Sequence, residues 1–477
     1  MKKDKSIKEI MSIAWILVFG ALPPMLDTTI VNIAVNDLAK IFSASFSSTQ
    51  WIVTGYTLAL GIEVPFSGWL IRKYDGKKIF MGALGVFLAA SLLCGLSWDM
   101  NSLITFRIFQ GFASGIMIPT LTALVVQLAG NDNIGRLMSI VGIPIVFAPI
   151  IGPVIGGLIM QYSSWHWLFF VNLPIGAIAL LMMHWKLPNF KAIDKSAKLD
   201  WIGVFLLVMM SGMFIFGVTE IKASGANSIA VLSFALASIS LVIYLFYGWK
   251  KKDLALIPLE LFKSKNFSAS FISLFLAGFA TNGPMLLFPM FFRNVRALNV
   301  ITSALWLIPQ GIGMLVTRPI IGKMTDKIGA RFVVLPSIII TIMGTLPFAF
   351  FDSDTAYWII WLTLFLRGIG VGGITVPIMS DSYVGLKNTQ VPAASVATRI
   401  IQNIGAASGS AILATVVSNS LNMKEGTIAN LTIAYHMGFI TSLIFMLISI
   451  IPTFFLTNKL RKMNNADTDG GKISTES

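Results

Sequence analysis

Apolar residues in this chain come in runs of roughly 18–25 separated by short polar or charged breaks. Fourteen such runs can be counted, near 12–35, 48–71, 78–98, 101–127, 136–160, 165–186, 201–219, 228–249, 267–291, 300–322, 331–351, 355–380, 394–419 and 433–457. Each is long enough to cross the hydrocarbon of a bilayer as a helix rising about 1.5 Å per residue. The opening MKKDKSIKEI followed by an apolar run resembles a signal peptide. No A-x-A-like cleavage site is evident, and the run continues through Asp27, so it is read as the first span.

Composition agrees. Of 477 residues, 56% are hydrophobic and 12% charged, with a mean hydropathy of +0.81. No soluble protein could keep that much apolar surface from water, which makes this an all-α polytopic membrane protein. An even number of spans puts both termini on one side. Most of the 35 lysines and arginines fall in the segments on that side, against Lys40, Lys222, Arg293, Arg296 and Lys424 on the other. The positive-inside rule then makes the termini cytoplasmic, in the cell (plasma) membrane. The net charge of +14 is therefore a topology signal, and no nucleic-acid partner is expected. One cysteine and three histidines exclude an internal disulfide framework or a cysteine-rich metal cluster. No metal and no cofactor are expected.

Two ordered correspondences point to an internal repeat. GWLIRKYDGKK (Gly68–Lys78) is echoed by GKMTDKIGAR (Gly322–Arg331), and RIFQGFASG (Arg107–Gly115) by RGIGVGG (Arg367–Gly373), at nearly one offset. Two pseudo-symmetric six-helix halves follow, with the substrate site between them. The expected organisation is an N-terminal half at 1–188, a linker and two-helix insert at 189–252, a C-terminal half at 253–460 and a disordered cytoplasmic tail at 461–477.

Charges inside spans are the candidate chemistry. An ionised carboxylate at bilayer depth costs a few kcal/mol, about 2.5–3.5 on insertion scales, so it usually faces a cavity or a partner. Asp27, within ALPPMLDTTIVNIAV, is a candidate proton or substrate site, or else a structural acid held by a neighbouring helix. Arg107 lies at comparable depth, which makes an Asp27–Arg107 pair possible; the alternative is that Arg107 caps backbone carbonyls. Pairing and desolvation pull such a carboxyl in opposite directions. Glu63 is a second buried acid, for a proton or a cationic substrate, unless it snorkels or pairs with Arg72. Asp381, beside Ser380 and Ser382, is a further substrate-site candidate that a solvated helix end would equally explain. Arg318 and Arg399 are expected to snorkel to the inner interface.

The fifth run holds GIPIVFAPIIGPVIGGLI. Gly142, Gly152, Gly156 and Gly157 remove side chains where helices could approach, while Pro144, Pro149 and Pro153 remove donors and invite bends. Small-residue packing is common in membranes, but this proline–glycine cluster suggests a gate helix.

With these residues in view, the chain resembles the major facilitator superfamily, and within it the fourteen-helix drug/proton antiporter branch, over nearly its whole length. LDTTIVNIA (Leu26–Ala34) resembles the branch's first-helix signature, and WHWLFFVNLPIG (Trp165–Gly176) another, with His166 where arginine is usual. Arg107, Gln110, Gly111 and Gly115 match the fourth-helix motif associated with proton coupling; Gly152, Pro153, Gly156 and Gly157 match the antiporter motif. Gly68, Arg72 and Asp75, and Gly322, Asp326, Gly329 and Arg331, resemble the loop motif that clamps the cytoplasmic side. Its first copy departs from the pattern: Arg72 replaces an aspartate and Asp75 a glycine. The second keeps the acid, so the lock is expected to depend more on the C-terminal half.

The resemblance implies a monomeric, proton-driven exporter of amphipathic, expected cationic, small molecules, with Asp27 carrying the proton and Arg107 tuning it. Export of one endogenous fatty acid, lipid or peptide is the alternative. An enzyme has no support: no H-E-x-x-H, G-x-S-x-G or G-x-x-x-x-G-K-[ST] occurs.

Overall fold

The structure, a computed structural model, describes residues 7–44, 46–129, 134–190, 192, 194–196, 198–222, 225–298, 300–387, 389–422 and 428–458. In order come α1 (Ile7–Gly20), α2 (Leu22–Ile41), α3 (Phe46–Lys73), α4 (Gly76–Gly95), α5 (Met100–Ala129), α6 (Ile134–Tyr162), α7 (Trp167–Phe170) and α8 (Asn172–Lys186). Then follow α9 (Trp201–Thr219), a two-residue ladder of Ile221–Lys222 with Gly225–Ala226, and α10 (Ser228–Lys251). The chain continues through α11 (Lys265–Ala277), a π-helical turn (Gly278–Asn282), α12 (Gly283–Asn294), α13 (Val300–Leu305), α14 (Ile308–Ile328) and α15 (Ala330–Thr345). It ends with α16 (Tyr357–Gly372), α17 (Thr375–Asp381), α18 (Val391–Asn422) and α19 (Ile428–Thr453).

Eleven segments among the described residues are long and apolar enough to cross a membrane. The other three expected runs fall on α3, α6 and the broken α13–α14, so the order is consistent with fourteen spans. α3 carries Glu63, Arg72 and Lys73, and α14 carries Arg318, Lys323, Asp326 and Lys327, which dilutes their apolar character. The expected tail at 461–477 lies outside the described residues.

Helix boundaries follow local chemistry. Pro23 and Pro24 open α2 just after α1 stops at Gly20. Asp99 accepts the Ser102 amide (2.7 Å) while the Ser102 hydroxyl accepts the Asp99 amide (3.2 Å), a reciprocal cap at the start of α5. The Ser102 amide, then its hydroxyl, hold the Asp99 carboxyl below the usual carboxylate range. Asp75 likewise caps α4, accepting from the Lys77 and Lys78 amides. Between α14 and α15, Gly329 adopts φ +91°, where a side chain would be strained.

Lipid gives little apolar drive for helices to associate, so close packing has to hold the bundle. Glycines provide it: a Cβ on Gly111 of α5 would fall 2.3 Å from the Tyr56 carbonyl oxygen of α3, and one on Gly368 of α16 would fall 2.1 Å from that of Gln310 on α14. The inserted α9 and α10 pack chiefly on each other. The buried positions of α10 are Ala230, Ser233, Ala237, Ser240, Tyr244 and Gly248, a stripe at three- and four-residue spacing that is small except at Tyr244. Tyr247 and Lys251 at the end of α10 both bond Asp200, which caps α9.

We call the end carrying Arg72, Lys251 and Lys327 the basic-loop end. There α6 and α14 cross closely, with a Cβ on Gly322 falling 2.8 Å from the Gly135 carbonyl oxygen. Asp326 of α14 accepts the backbone amides of Gly135 (2.8 Å) and Arg136 (2.9 Å) at the start of α6. A second crossing joins α3 to α18, Gly68 resting against Val396.

Crowding at the α5–α3 crossing predicts that Gly111→Ala lowers stability by about 1–3 kcal/mol. Gly82→Ala, whose Cβ would meet nothing within 4 Å, should be neutral or slightly stabilising in a helix. Melting temperatures of the two purified variants in detergent check this, and equal melting would refute the packing argument.

Candidate functional site

The first six-helix half is centred on Asp27 of α2, which is fully buried. Its Oδ2 accepts Arg107 Nη1 from α5, and its Oδ1 accepts Gln110 Nε2 (3.2 Å) and Asn172 Nδ2 (3.0 Å) from α5 and α8. All three neighbours donate. Both amides also donate to Ser91 Oγ of α4, at 2.6 Å from Gln110 and 3.2 Å from Asn172. Arg107 is fixed further by the Ile52 carbonyl (3.2 Å), Gln110 Oε1 (2.7 Å) and the face of Tyr56, 4.2 Å from the ring centre. The Tyr56 hydroxyl in turn donates to the Pro24 carbonyl (3.2 Å) and to Ser114 (2.9 Å). Three helices thus meet at one carboxylate, and Ser91 and Tyr56 extend the network to α4 and α3. Equal depth in the sequence pointed to the Asp27–Arg107 pair. Asn172 sits within the WHWLFFVNLPIG motif but carried no assigned role, and Ser91 and Tyr56 had no signal of their own.

The second half holds Arg367 of α16, also fully buried, with only neutral partners among the described residues. It donates to Thr345 Oγ1 (3.2 Å), Gln310 Oε1 (2.8 Å) and the Thr281 carbonyl (3.4 Å), and lies over Phe288. The π-helical turn supplies that Thr281 carbonyl, since backbone freed from the α-helical ladder still needs a partner at this depth.

Between the halves lies a cavity of about 310 Å³ walled by α5, α6, the π-helical turn and α12, α14, α16–α17 and α18. Arg318 and Arg399 line it together with Gln310, Gln402, Asn403 and several methionines. This corrects the expectation that they snorkel: Arg318 is buried, and its Nε and Nη1, like Arg399 Nε, have no hydrogen-bond partner among the described residues. The helices hold both side chains inward at a cavity wall, out of reach of an interface.

The other candidate acids lie elsewhere. Glu63 is buried where α3 crosses Gly115 of α5, its Oε2 without a partner among the described residues, and it does not line this cavity. Asp381 is buried at the basic-loop end, accepting Ser270 Oγ (3.2 Å) and the Thr457 amide (3.2 Å), and ties α17 to α11 and the segment after α19.

Of the α6 motif, Gly152 and Gly156 admit α2: Cβ atoms there would fall 2.0 Å from Thr29 Oγ1 and 2.7 Å from the Ile30 carbonyl oxygen. Gly142 makes room for Arg318, Gly157 is partly exposed, and the side chains of Pro149 and Pro153 lie outside the described residues. Among the loop-motif residues, Asp326 bridges α14 to α6, whereas Asp75 caps its own helix. The Arg72 carbonyl accepts the Asp194 amide (2.9 Å), and Arg331 lies over Phe454, 5.1 Å from the ring centre.

Comparison with known proteins supports a transport fold. The family model described as Major Facilitator Superfamily matches residues 17–410. The chain is 30% identical over 420 residues to the "Multidrug resistance protein B homolog" of Mycobacterium tuberculosis (strain H37Rv), covering 86% of this chain and 77% of that protein. It is 26% identical over 430 residues to the "Uncharacterized MFS-type transporter YhcA" of Bacillus subtilis (strain 168), covering 90% and 81%. The solved proton:xylose symporter XylE superposes with a TM-score of 0.63 at 13% identity, covering 94% of this chain and 97% of that one. That likeness speaks to the fold alone.

The bridge from Asp326 to α6 predicts a measurable latch. Removing a carboxylate cap costs about 1 kcal/mol, roughly fivefold in a closed-to-open ratio. Asp326→Ala should speed reaction of a cavity cysteine (Met314→Cys on a Cys94→Ser background) with a water-soluble maleimide by about that factor. An unchanged rate in folded protein would mean that the bridge does not hold the end shut.

Proposed function

The chain belongs to the major facilitator superfamily, a multi-pass membrane transporter and no enzyme, and on that premise we propose that it is a proton-coupled multidrug efflux antiporter. It would act as a monomer in the plasma membrane, both termini cytoplasmic, exporting amphipathic small molecules by alternating access. The observation that carries the reading is the Asp27–Arg107 pair, buried and ringed by hydrogen-bond donors. The name of the mycobacterial relative supports the drug-export part.

A proton arriving from outside would take one carboxylate lone pair of Asp27 and remove its charge. Arg107 would then lose its ionic partner, and the cluster joining α2, α4, α5 and α8 would loosen. Asn172 suits such a cycle: Nδ2 faces the carboxylate, while its buried Oδ1 has no partner among the described residues. Rotating the amide would offer Oδ1 as acceptor to the protonated acid. Release of the proton at the inner face would restore the pair and the substrate-loading state. Binding energy moves such an equilibrium only by its difference between states, and making or breaking a buried pair supplies that difference.

Inverted vesicles with an acidified lumen test this, following gradient-driven accumulation of whichever amphipathic dyes the wild type carries. Asp27→Asn should abolish accumulation while leaving gradient-free dye exchange measurable. Glu63→Gln should keep coupled transport, because among the described residues no cation stands beside Glu63 to trade for its proton. Full gradient-driven accumulation by Asp27→Asn would place the proton elsewhere.

A further inference from the structure

We propose that the central cavity is an anion site, and that the transported molecule is an amphipathic anion: one acidic group on an apolar body. The inference rests on the transport reading above and departs from the cationic preference that Glu63 suggested. Arg318 and Arg399 both line the cavity, and Nε and Nη1 of the first and Nε of the second have no hydrogen-bond partner among the described residues. Arg399 Nη1 reaches Gln402 Oε1 at 3.2 Å, a neutral partner. No acid is among the described lining residues. The sequence goes further: on every helix that walls the cavity, the only acids are Asp326 and Asp381. Both sit at the basic-loop end, Asp326 about 12 Å along α14 from Arg318 by helical rise.

Two guanidinium groups so placed create a strongly positive, low-dielectric surface, in which a cation would be repelled and an anion both paired and hydrogen-bonded. Guanidinium suits carboxylate, sulfonate or phosphate, because its forked N–H groups match paired acidic oxygens. The rest of the wall is what an apolar body needs. Met138, Met285, Met314 and Met379 face the space beside Ile118 and Val141, and methionine adapts to varied shapes. A volume of about 310 Å³ sits at the lower end of small-molecule sites. Depth fits too: Arg318 and Arg399 lie about 15 Å and 12 Å from the basic-loop ends of their helices, near mid-membrane.

Gly142 ties this site to the gate helix. A Cβ there would fall 1.5 Å from Arg318 Nη1, so the guanidinium of α14 reaches into space that α6 leaves open. When α6 and α14 separate, the wall behind the anion's acidic group changes, and the site weakens as the gate moves.

Two probes with one fluorophore and opposite charge decide the matter: dansylglycine, a carboxylate, and dansylcadaverine, an amine. Each is titrated against the purified full chain by fluorescence, and each is offered to energised vesicles. Wild type should bind dansylglycine more tightly. Arg318→Met and Arg399→Met should each weaken that binding by about tenfold or more, and Arg318→Lys should recover part of it. Preference for the amine, no binding of dansylglycine, or unchanged binding in both methionine variants overturns the proposal. The wild-type preference decides even if a variant misfolds. Dansylglycine binding without gradient-driven uptake would count against coupled transport and leave the anion site standing. Gradient-driven uptake of the amine alone would do the reverse.

Discussion

A charge carried into the hydrocarbon must be answered there, since water cannot do it and Coulomb energies rise as the dielectric falls. The four arginines inside spans are answered in three ways. Arg107 meets a carboxylate, and the two neutralise each other within one half. Arg367 meets hydroxyl, amide and carbonyl oxygens and the face of Phe288, which spread its charge without cancelling it. Arg318 and Arg399 face a cavity and leave N–H groups to whatever enters it. Pairing, diffuse solvation and an open site therefore occur in one helical bundle, and the division of labour follows from which partners each helix supplies.

Helix approach makes these answers available. Arg107 can reach Asp27 because Gly111 and Gly115 bring α5 against α3, and Gly152 and Gly156 bring α6 against α2. Each contact lies inside one half, so it stiffens a body that has to move as a unit. The contacts between halves are of another kind. They are two backbone amides on one carboxylate, a few glycine crossings near the basic-loop end, and an apolar cluster in which Val376, Val396 and Ile400 of the second half share a core with Val64, Leu121 and Val141 of the first. Alternating access requires this seam to part while each half keeps its own contacts.

Much of this was legible in the sequence, and the failures have physical causes. The helical, membrane-spanning character of the chain and the Asp27–Arg107 pair could be read, the first from the length of the apolar runs and the second because depth along a helix is simply residue count times rise. Asp326 stood out against Arg72 because the two loops are copies, and the structure gives Asp326 the bridge between halves. Ser91 and Asn172 could not be found: a serine in an apolar run looks the same whether it bonds its own helix or a carboxylate across the bundle. Arg318 and Arg399 were misread for a related reason. Snorkelling was inferred from distance to the interface, but direction about the helix axis decides, and that direction is set by Gly142 and by the packing of α14 and α18.

The asymmetry between the halves then acquires a meaning. If protons load an acid in the first half and anions load two arginines of the second, the two ligands never compete for one group. Antiport would have to arise through the seam: each ligand favours a different arrangement of α6 against α14, and the chain crosses between arrangements with one ligand at a time. Gly142 and Asp326 then lie where that exclusion is enforced, one opening room for an arginine and the other pinning the same pair of helices. Separate sites that bias one two-state seam are sufficient for coupling, and no direct contest between proton and substrate is required.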